Sequence, residues 1–402
     1  MYLFPRLNSE VRRTVEALPA VIEREFPLHR RFRSRVYRDI AELSRLLTRS
    51  RGERSDAYLG SPALLSAYLR YFLPWNVYRL CRLLPALPLT FTAGDVVTDL
   101  GAGPLTLTLA LWIARPDIRS LPLEFCCLDR NAGVLAAGKR LFQTLAGDSP
   151  WRIKTIHAPL DAPLYGPKAR LVSALQVFNE RYERIPQGDA EHLRQGAEKA
   201  SRLLASLVRE GGSILVLEPG VPWSGEWIAA LRNALHNRGQ GSCAPCPQQG
   251  VCPCPGGKGK WCHFTFDTED APSVLHTLSR AAGLPKERAT LSFLFTGPGE
   301  NKEAAVQGEV QALPVRILSD RFPVPFQSGN RYPRHTPYGR YGCSVRGLVL
   351  LLEEASGHPL RSGELVMAVL GSPEKRDPKT GSLIAYSPCH LIGKKIVHKL
   401  PV

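Results

Sequence analysis

Apolar residues recur at helical spacing over the first quarter of the chain. The runs Val11–Leu47 and Ser61–Leu84 place apolar side chains three or four positions apart, which is the period of an α-helix that buries one face. Residues 1–92 are therefore predicted to form a helical N-terminal region.

From about residue 93 the pattern changes to short apolar or β-branched runs that alternate with helical stretches. The predicted strands are Val96–Leu100, Leu123–Leu128, Ile153–His157, Leu171–Phe178 and Ser213–Leu217. The predicted helices are Leu105–Ile113, Asn131–Leu145 and His192–Glu210. This alternation predicts an α/β domain with a parallel, doubly wound, Rossmann-like sheet. Ligands of such sheets bind at the carboxyl ends of the strands.

Two further parts complete the pattern. A helix at Ala271–Ala282 and a strand at Thr290–Phe295 are expected to finish the sheet, so that one domain covers residues 93–300. In residues 305–402, short apolar runs are separated by Gly, Pro and Ser, which predicts a small β module. Its predicted strands are Val315–Ser319, Ser344–Leu352, Leu365–Leu370, Ser382–Ala385 and Lys395–His398.

The charge of the chain indicates its partners rather than its fold. The formal net charge is +16 over 402 residues. Half of it lies in residues 1–90, which contain 16 arginines, no lysine and eight acidic residues. The densest run is Arg30, Arg31, Arg33, Arg35 and Arg38. Such a run is either a solvated helix face or a surface that contacts nucleic-acid phosphates, and the sequence leaves both open.

No segment has the pattern of a membrane span or of a secretion signal. The most apolar candidate, near Leu73–Leu89, is interrupted by Arg79 and Arg82, whereas a span needs about 18 or more apolar residues. The first residues are charged and lack the apolar core of a signal peptide. We therefore expect a soluble intracellular monomer with no membrane partner.

A glycine-rich turn follows the first predicted strand. In Asp99-Leu100-Gly101-Ala102-Gly103 the glycines permit a sharp turn and a close approach of a ligand to the backbone. Thr106 replaces the third glycine of the dinucleotide pattern, which argues against NAD. Asp129 ends the second strand, where an acidic residue can bind ribose hydroxyls. Alone, the turn would be ordinary, but with Asp129 it predicts a nucleoside cofactor bound by Asp99, Gly101, Gly103 and Asp129.

Two polar residues follow the fourth predicted strand. Asn179 and Glu180 lie at the edge of the sheet where groups close to a substrate are placed, so both are candidate catalytic residues. The alternative is that they cap the next helix.

Five of the ten cysteines lie between Cys243 and Cys262. Residues 239–260 are too poor in apolar side chains to form a core, so a ligand is expected to order them. Clustered thiolates favour zinc or an iron–sulfur cluster. The spacing is irregular for zinc, which is more typically bound by two Cys-x2-Cys pairs. Cys343 could supply a ligand from a distant segment and tie the β module to the sheet.

Together these motifs resemble a family of methyltransferase-like proteins associated with the small ribosomal subunit of bacteria and mitochondria. The matching motifs are Asp99-Leu100-Gly101-Ala102-Gly103-Pro104, Asn179-Glu180, Leu217-Glu218-Pro219-Gly220, Pro245-Cys246-Pro247, Cys252-Pro253 and Trp261-Cys262-His263-Phe264. The resemblance spans roughly residues 55–300, with a weaker match around Cys343. It implies a Rossmann-like class I methyltransferase sheet that carries a cysteine-rich, metal-binding insertion at residues 241–264.

The resemblance also implies cofactors and a partner. The cofactors are S-adenosylmethionine and a [4Fe–4S] cluster, with zinc as the alternative metal. The implied cluster ligands are Cys246, Cys252, Cys262 and Cys343. Gln248 stands where the family often has His, and Cys254 is an additional thiol, so the ligand set stays open. The implied partner is small-subunit ribosomal RNA or the pre-ribosomal small subunit, in the cytoplasm or in the mitochondrial matrix of a eukaryote.

Three functions therefore stay open. The first is a ribosomal RNA methyltransferase. The second is a non-catalytic assembly factor that binds the RNA through its N-terminal helices and β module. The absence of an Asn-Pro-Pro-Tyr motif after the fourth strand slightly favours the second, whereas the glycine turn and Asp129 favour cofactor binding in either case. The third is a zinc-ribbon protein acting on DNA, which the cysteine spacing disfavours.

Overall fold

The structure is a computed structural model. It describes residues 2–48, 58–181, 189–254, 261–297, 312–324, 338–353, 360–371 and 373–386. Within these ranges no helix has the length and apolar character needed to cross a bilayer.

The N-terminal region is helical, as predicted. Its helices are α1 (Ser9–Glu25), α2 (Arg30–Arg33), α3 (Val36–Thr48), α4 (Pro62–Ala67) and α5 (Leu73–Leu83), with a π-helical turn at Tyr68–Phe72. The predicted run Val11–Leu47 is divided because Pro27 disfavours helical geometry at Phe26, where α1 ends. The apolar stripe on α1 packs inward through Val11, Val15, Leu18 and Ile22.

The central sheet has eight strands. They are β1 (Val96–Leu100), β2 (Glu124–Asp129), β3 (Arg152–His157), β4 (Ala169–Leu175), β5 (Val208–Glu218), β6 (Ser242–Ala244), β7 (Phe264–Asp267) and β8 (Arg288–Thr296). Their order is β3-β2-β1-β4-β5-β8, with β6 and β7 both paired to β8. Strands β1 to β5 are parallel, and β8 is antiparallel to β5. This confirms the Rossmann-like class I methyltransferase sheet, whose strand order reverses between β1 and β4.

Helices cover both faces of this sheet. They are α6 (Thr106–Ala114), α7 (Ala132–Ala146), α8 (Phe178–Arg181), α9 (Ala190–Leu207), α10 (Pro222–His236) and α11 (Ser273–Ala281). The N-terminal helices, α6 and α7 share one apolar core, and α9 and α10 share the other. Because β1, β2, β4 and β5 are parallel, their carboxyl ends meet at one edge.

Two predicted boundaries are wrong. The strand predicted at Leu171–Phe178 ends at Leu175, because Gln176 adopts a left-handed conformation, φ +57°, and α8 begins at Phe178. The helix predicted to reach Glu210 ends at Leu207, and β5 begins at Val208. Apolar Val177 and Phe178 mimic a longer strand, and polar residues 209–212 conceal the start of β5.

The cysteine-rich segment lies in the chain between two short strands that both pair with β8. Strand β6 pairs with the Phe295–Thr296 end of β8, and β7 pairs with its Arg288–Leu291 end. The described parts of the segment, residues 245–254 and 261–263, therefore lie between two strands that belong to opposite ends of β8.

The C-terminal module is all-β, as predicted. Its strands are β9 (Ala312–Ile317), β10 (Phe322–Pro323), β11 (Tyr338–Ser344), β12 (Gly347–Glu353), β13 (Leu365–Leu370) and β14 (Leu383–Tyr386). Strand β9 pairs with both β11 and β13, which closes a barrel of order β9-β11-β12-β14-β13. The pair β12–β14 is parallel and the other pairs are antiparallel. This connectivity is that of an OB-fold barrel.

The start of the strand predicted at Ser344–Leu352 is wrong. Ser344 ends β11, and β12 begins only at Gly347, whose φ of +100° follows the turn between the two strands. The strand predicted at Lys395–His398 lies outside the described residues.

Candidate functional site

A cleft of about 410 Å³, counted with its part open to solvent, lies at the carboxyl ends of β1, β4 and β5. Three structural units line it: the glycine turn, the ends of β4 and β5, and the N-terminal helices. Its lining residues are Tyr68, Asn76, Arg79, Leu80, Asp99, Gly101, Ala102, Gly103, Thr106, Leu175, Gln176 and Leu217. The structure thus brings three predicted cofactor residues, Asp99, Gly101 and Gly103, to one cleft.

The glycine turn needs glycine for two reasons. Gly101 and Gly103 have φ values of +66° and +53°, which L-residues rarely adopt. In addition, a Cβ atom on Gly101 would lie 2.4 Å from a methyl group of Val177. The loop after β4 therefore closes directly over the turn.

Asp129 holds the turn in place. Its Oδ2 accepts a hydrogen bond from the Gly103 N–H at 2.9 Å, and its Oδ1 accepts one from the Asn131 N–H at 2.9 Å. Burial raises the pKa of Asp129. Since each carboxylate oxygen has two acceptor sites, capacity remains for ribose hydroxyls.

Asp99 is buried at the floor of the cleft, with 1% of its surface exposed. Its Oδ1 accepts from the Ser173 hydroxyl at 2.6 Å, whereas its Oδ2 is buried without a hydrogen-bond partner in the described residues. Burial raises the pKa of Asp99 to about 7. This oxygen can therefore accept a hydrogen bond from a donor group of a ligand.

The part of the cleft wall formed by Tyr68, Asn76, Arg79 and Gln176 was not predicted as part of the site. Asn76 accepts hydrogen bonds through Oδ1 from Arg79 Nη1 at 2.6 Å and from Gln176 Nε2 at 3.1 Å. Burial raises the pKa of Tyr68, and the charges of Glu180 and Asp129 raise it further. The sequence offered one signal, because Asn76 and Arg79 are three positions apart in α5 and therefore lie on one face of that helix.

The candidate catalytic residues lie in α8. The Phe178 N–H donates to Glu218 Oε1 at 2.9 Å, and the Asn179 N–H donates to Glu218 Oε2 at 3.2 Å. The side chain that caps the start of α8 is therefore Glu218, not Asn179. Asn179 is buried, and its Oδ1 has no hydrogen-bond partner among the described residues. Glu180 Oε2 is 3.7 Å from Arg130 Nη2. Burial raises the pKa of Glu218 to about 8.

Four cysteines of the insertion meet Cys343 of β11. Burial raises the pKa of Cys262 well above its usual range, and the charges of Cys254, Cys246, Cys252 and Cys343 raise it further. Burial and the charge of Cys246 raise the pKa of Cys252, and burial with the charges of Cys246, Cys254 and Cys252 raises the pKa of Cys343. The four predicted ligands and Cys254 are therefore near enough to influence one another's charge, where the barrel meets the insertion.

The chemistry of these donors fits a thiolate-bound metal centre. Within the described ranges, no three His, Cys, Asp or Glu side chains are already arranged as a metal-binding group, so metal binding would require the thiols to draw closer. Buried thiolates are soft ligands that need a neutralising cation.

Arg232 provides one positive charge beside these thiols. It is 3% exposed, and its Nε donates to Cys246 Sγ at 3.2 Å. Its remaining described partners are neutral: the carbonyl oxygens of Gln248 and Gly250 and the side chains of Gln248 and Asn233. A buried guanidinium with these partners keeps its positive charge directed at the cysteine-rich segment.

The C-terminal end of the insertion, at Trp261, packs on α10. A Cβ atom on Gly225 would lie 2.8 Å from Trp261, so the indole lies directly on the helix backbone. The His263 ring stacks on Trp261, with 4.7 Å between ring centroids, and its Nδ1 lies 3.2 Å from the Trp261 carbonyl oxygen.

A family model described as "Rsm22: Mitochondrial small ribosomal subunit Rsm22" matches residues 192–318. This match confirms the resemblance to small-subunit-associated proteins over that part of the chain, which includes the cysteine-rich insertion. No curated protein matches the chain.

Several solved methyltransferases are similar in structure. An S-adenosylmethionine-dependent methyltransferase from Geobacter sulfurreducens, in complex with S-adenosyl-L-homocysteine, is 15% identical, covers 56% of this chain and 91% of its own, with a TM-score of 0.32. A second one, from Thiobacillus denitrificans and also in complex with S-adenosyl-L-homocysteine, is 15% identical. It covers 56% of this chain and 90% of its own, with a TM-score of 0.32. A third one, from Clostridium acetobutylicum, is 13% identical and covers 32% of this chain and 44% of its own, with a TM-score of 0.23. This chain thus spans less than half of that protein. The fold assignment rests on the strand order.

Proposed function

We propose that the chain binds S-adenosylmethionine and methylates small-subunit ribosomal RNA. The observation that carries this proposal is the cleft beside the reversal of strand order, where ligands of such sheets bind. There, Gly101 and Gly103 bring the backbone close to a ligand, and Asp99 keeps one buried oxygen without a described partner.

Each predicted residue has a role in this proposal. Asp99, Gly101, Gly103 and Asp129 bind the cofactor, and Asn179 and Glu180 face the methyl acceptor. Methyl transfer from a sulfonium depends mainly on holding the acceptor in line. The buried Asn179 amide oxygen can accept a hydrogen bond from an acceptor amine or hydroxyl and so orient it.

The charge of the chain and the family match support an RNA partner in the small ribosomal subunit. The five arginines at residues 30, 31, 33, 35 and 38 are all exposed around α2, so they are accessible to phosphates. The family model concerns a mitochondrial small-subunit protein. We propose that the chain works as a monomer, in the cytoplasm or in the mitochondrial matrix of a eukaryote.

A [4Fe–4S] cluster held by Cys246, Cys252, Cys262 and Cys343 is part of the proposal, with zinc as the alternative. The gathering of these thiols and the contact of Arg232 with Cys246 support it. When bound, the centre would link the insertion to the barrel through metal–sulfur bonds. It has a structural role here, because the cofactor cleft is lined by other residues.

Methyl incorporation tests the enzymatic proposal. Immature small subunits are incubated with the chain and methyl-labelled S-adenosylmethionine, and label in the RNA is counted. We expect label with the wild-type chain and with Asp148→Ala, a control at an exposed acidic residue. We expect little label with Asp129→Ala, because the glycine turn loses the acceptor for its Gly103 N–H. If Asp129→Ala incorporated as much label as the wild-type chain, the enzymatic proposal would be wrong.

A non-catalytic assembly factor is the second candidate. The loop after β4 favours it, because Asn179 is 8% exposed there and the base-flipping motif Asn-Pro-Pro-Tyr is absent from the sequence at this point. This candidate predicts that the chain binds S-adenosylmethionine and immature subunits but incorporates no label.

Metal analysis tests the cluster. The chain is purified without oxygen, and iron, acid-labile sulfide and zinc are measured per chain. We expect about four iron and four sulfide, lost in Cys252→Ser and retained in Cys126→Ser, a matched control on β2. About one zinc without sulfide would replace the cluster with a structural zinc site.

A further inference from the structure

The cofactor cleft has a positive side chain on the wall that α5 contributes. Arg79 of α5 lines the cleft, and its Nη1 is held at 2.6 Å by the Asn76 amide oxygen. Asn76 is itself fixed by Gln176 Nε2 at 3.1 Å, so the end of β4 orients this wall. The Arg79 Nε atom is buried and has no hydrogen-bond partner in the described residues.

The electrostatics around Arg79 call for an anion. Burial lowers the pKa of Arg79. Burial and, as a smaller cause, the charge of Arg79 lower the pKa of Lys286 to about 7; the Lys286 Nζ atom lies 5.8 Å from the centroid of the Tyr71 ring. Neither side chain forms an ion pair with a carboxylate among the described residues. A partly desolvated guanidinium without a counter-charge is unfavourable, and an anionic ligand group would relieve this.

The floor of the cleft offers the complementary group. Asp99 has a buried Oδ2 without a described partner, which can accept hydrogen bonds from an ammonium group. One cleft therefore presents an unused guanidinium donor and an unused carboxyl acceptor. A free α-amino acid group carries a carboxylate and an ammonium on the same carbon, and it matches both.

We propose that Arg79, oriented by Asn76, binds the α-carboxylate of the methionyl part of S-adenosylmethionine, while Asp99 faces its α-ammonium. This inference rests on the proposed function, since it takes S-adenosylmethionine as the ligand, and adds a residue that recognises the amino-acid end. Arg79 then discriminates S-adenosylmethionine and S-adenosylhomocysteine from nucleosides that lack this end, such as 5′-methylthioadenosine.

Calorimetry on the wild-type chain gives the first test. S-Adenosylhomocysteine and 5′-methylthioadenosine share the adenosine and the sulfur, and only the former carries the amino-acid group. We expect S-adenosylhomocysteine to bind at least about tenfold more tightly, as charge-assisted hydrogen bonds provide. Equal affinities would overturn the inference and leave the proposed function standing. Binding of neither ligand would overturn the proposed function, and the inference with it.

Variants of Arg79 give the second test. Arg79→Gln is expected to weaken S-adenosylhomocysteine binding about tenfold or more and to leave the affinity for 5′-methylthioadenosine unchanged. Arg79→Lys should be intermediate, because it keeps the charge and loses the planar fork. Arg152→Gln, at an exposed arginine on β3, is the control for charge removal. If Arg79→Gln weakens the binding of both ligands equally, Arg79 supports the cleft as a whole and the inference is wrong.

Discussion

Glu218 shows at the residue scale how a buried carboxyl can organise a loop. It ends β5 with no exposed surface and accepts the N–H groups of Phe178 and Asn179. Burial raises its pKa to about 8 from an ordinary value of 4.5. The folded chain therefore binds a proton at Glu218 at pH values where the unfolded chain has released it.

This difference predicts a pH dependence of stability. Between the unfolded pKa of 4.5 and the folded pKa of about 8, the folded state binds the extra proton. The free energy of unfolding therefore falls as pH rises through this range and levels off above it. Glu218→Gln removes the titration, so it should lose less stability than the wild type between pH 6 and pH 8.5. Urea denaturation followed by circular dichroism measures this.

Asp99 provides an internal control for that experiment. Its pKa of about 7 produces a slope of the same sign, but this slope is present in both proteins and cancels in their difference. Parallel loss of stability in the wild type and in Glu218→Gln would show that Glu218 does not carry the titration.

Residues of the cofactor cleft differ in how visible they are in the sequence. Asp99, Gly101 and Gly103 belong to one local motif, and Asp129 follows at the spacing of one βαβ unit, so pattern alone finds them. Arg79 reaches the same cleft from another helix. Its contribution depends on tertiary packing, which a single sequence does not reveal.

At the scale of elements, close backbone contacts position the glycine turn. Gly138 of α7 faces Pro104, and a Cβ atom at Gly138 would lie 2.3 Å from the Pro104 carbonyl carbon. Because the obstructing atom is main chain, an added methyl group must displace the turn or the helix. The fit of α7 against the turn therefore depends on this glycine.

Gly138→Ala is expected to weaken S-adenosylhomocysteine binding about tenfold or more and to lower the free energy of unfolding by about 1–3 kcal/mol, a usual range for overpacking. Gly133→Ala is the matched control on the same helix, since its Cβ atom would meet only Asn131 Oδ1, at 3.3 Å. Calorimetry and urea denaturation measure both quantities. Similar behaviour of the two variants would show that helix propensity, rather than the contact with Pro104, decides the outcome.

A buried ion pair joins three separate elements. Asp270, in the turn after β7, accepts hydrogen bonds from Arg82 Nη1 at 2.6 Å and Tyr78 Oη at 2.5 Å, both on α5. Its other oxygen accepts from the Leu7 N–H at 2.8 Å. The N-terminal segment, α5 and the outer part of the sheet thus depend on one carboxylate.

Asp270→Ala should lower the free energy of unfolding by about 3–5 kcal/mol, because it leaves the buried Arg82 guanidinium without its counter-charge. Asp267→Ala is the control, since Asp267 is partly exposed and pairs with the exposed Arg6; it should change stability little. Urea denaturation of both variants checks the prediction. A loss in Asp270→Ala no larger than in Asp267→Ala would contradict it.

Element types were easier to predict than element limits. Alternating strands and helices fixed the parallel sheet, because hydrophobic periodicity reports on burial directly. The two strands β6 and β7 were not predicted, since each is short and the residues between them are cysteine- and proline-rich. The OB-fold connectivity was also invisible, because it depends on which strands pair rather than on where they lie in the chain.

At the scale of the whole molecule, the barrel meets the sheet domain around the cysteines. Arg316 of β9 donates through Nε to the Pro245 carbonyl oxygen at 3.0 Å, and the Thr265 N–H donates to Ser362 Oγ at 3.1 Å. Cys343 of β11 reaches the thiols of the insertion at the same boundary. The sequence offered Cys343 as a ligand from a distant segment, and its placement became evident only from the fold.

Loss of the metal centre should loosen this boundary. Cys343→Ser is expected to lower the metal content and to speed amide exchange in β9, β11 and β7 by roughly tenfold or more, because local opening no longer breaks a metal–sulfur bond. Hydrogen-exchange mass spectrometry on the full chain measures this. Cys126→Ser, on β2 and outside the boundary, should leave both the metal content and the exchange rates unchanged.

Chelation of the wild-type chain separates the metal from the side chain. If the metal links the two parts, chelator treatment should reproduce the exchange pattern of Cys343→Ser, and treatment of Cys343→Ser itself should add little. If metal content falls while exchange in β9 and β11 stays slow, then the hydrogen bonds of Arg316 and Thr265 hold the barrel in place by themselves. The metal centre would in that case stabilise the insertion rather than the assembly of the two domains.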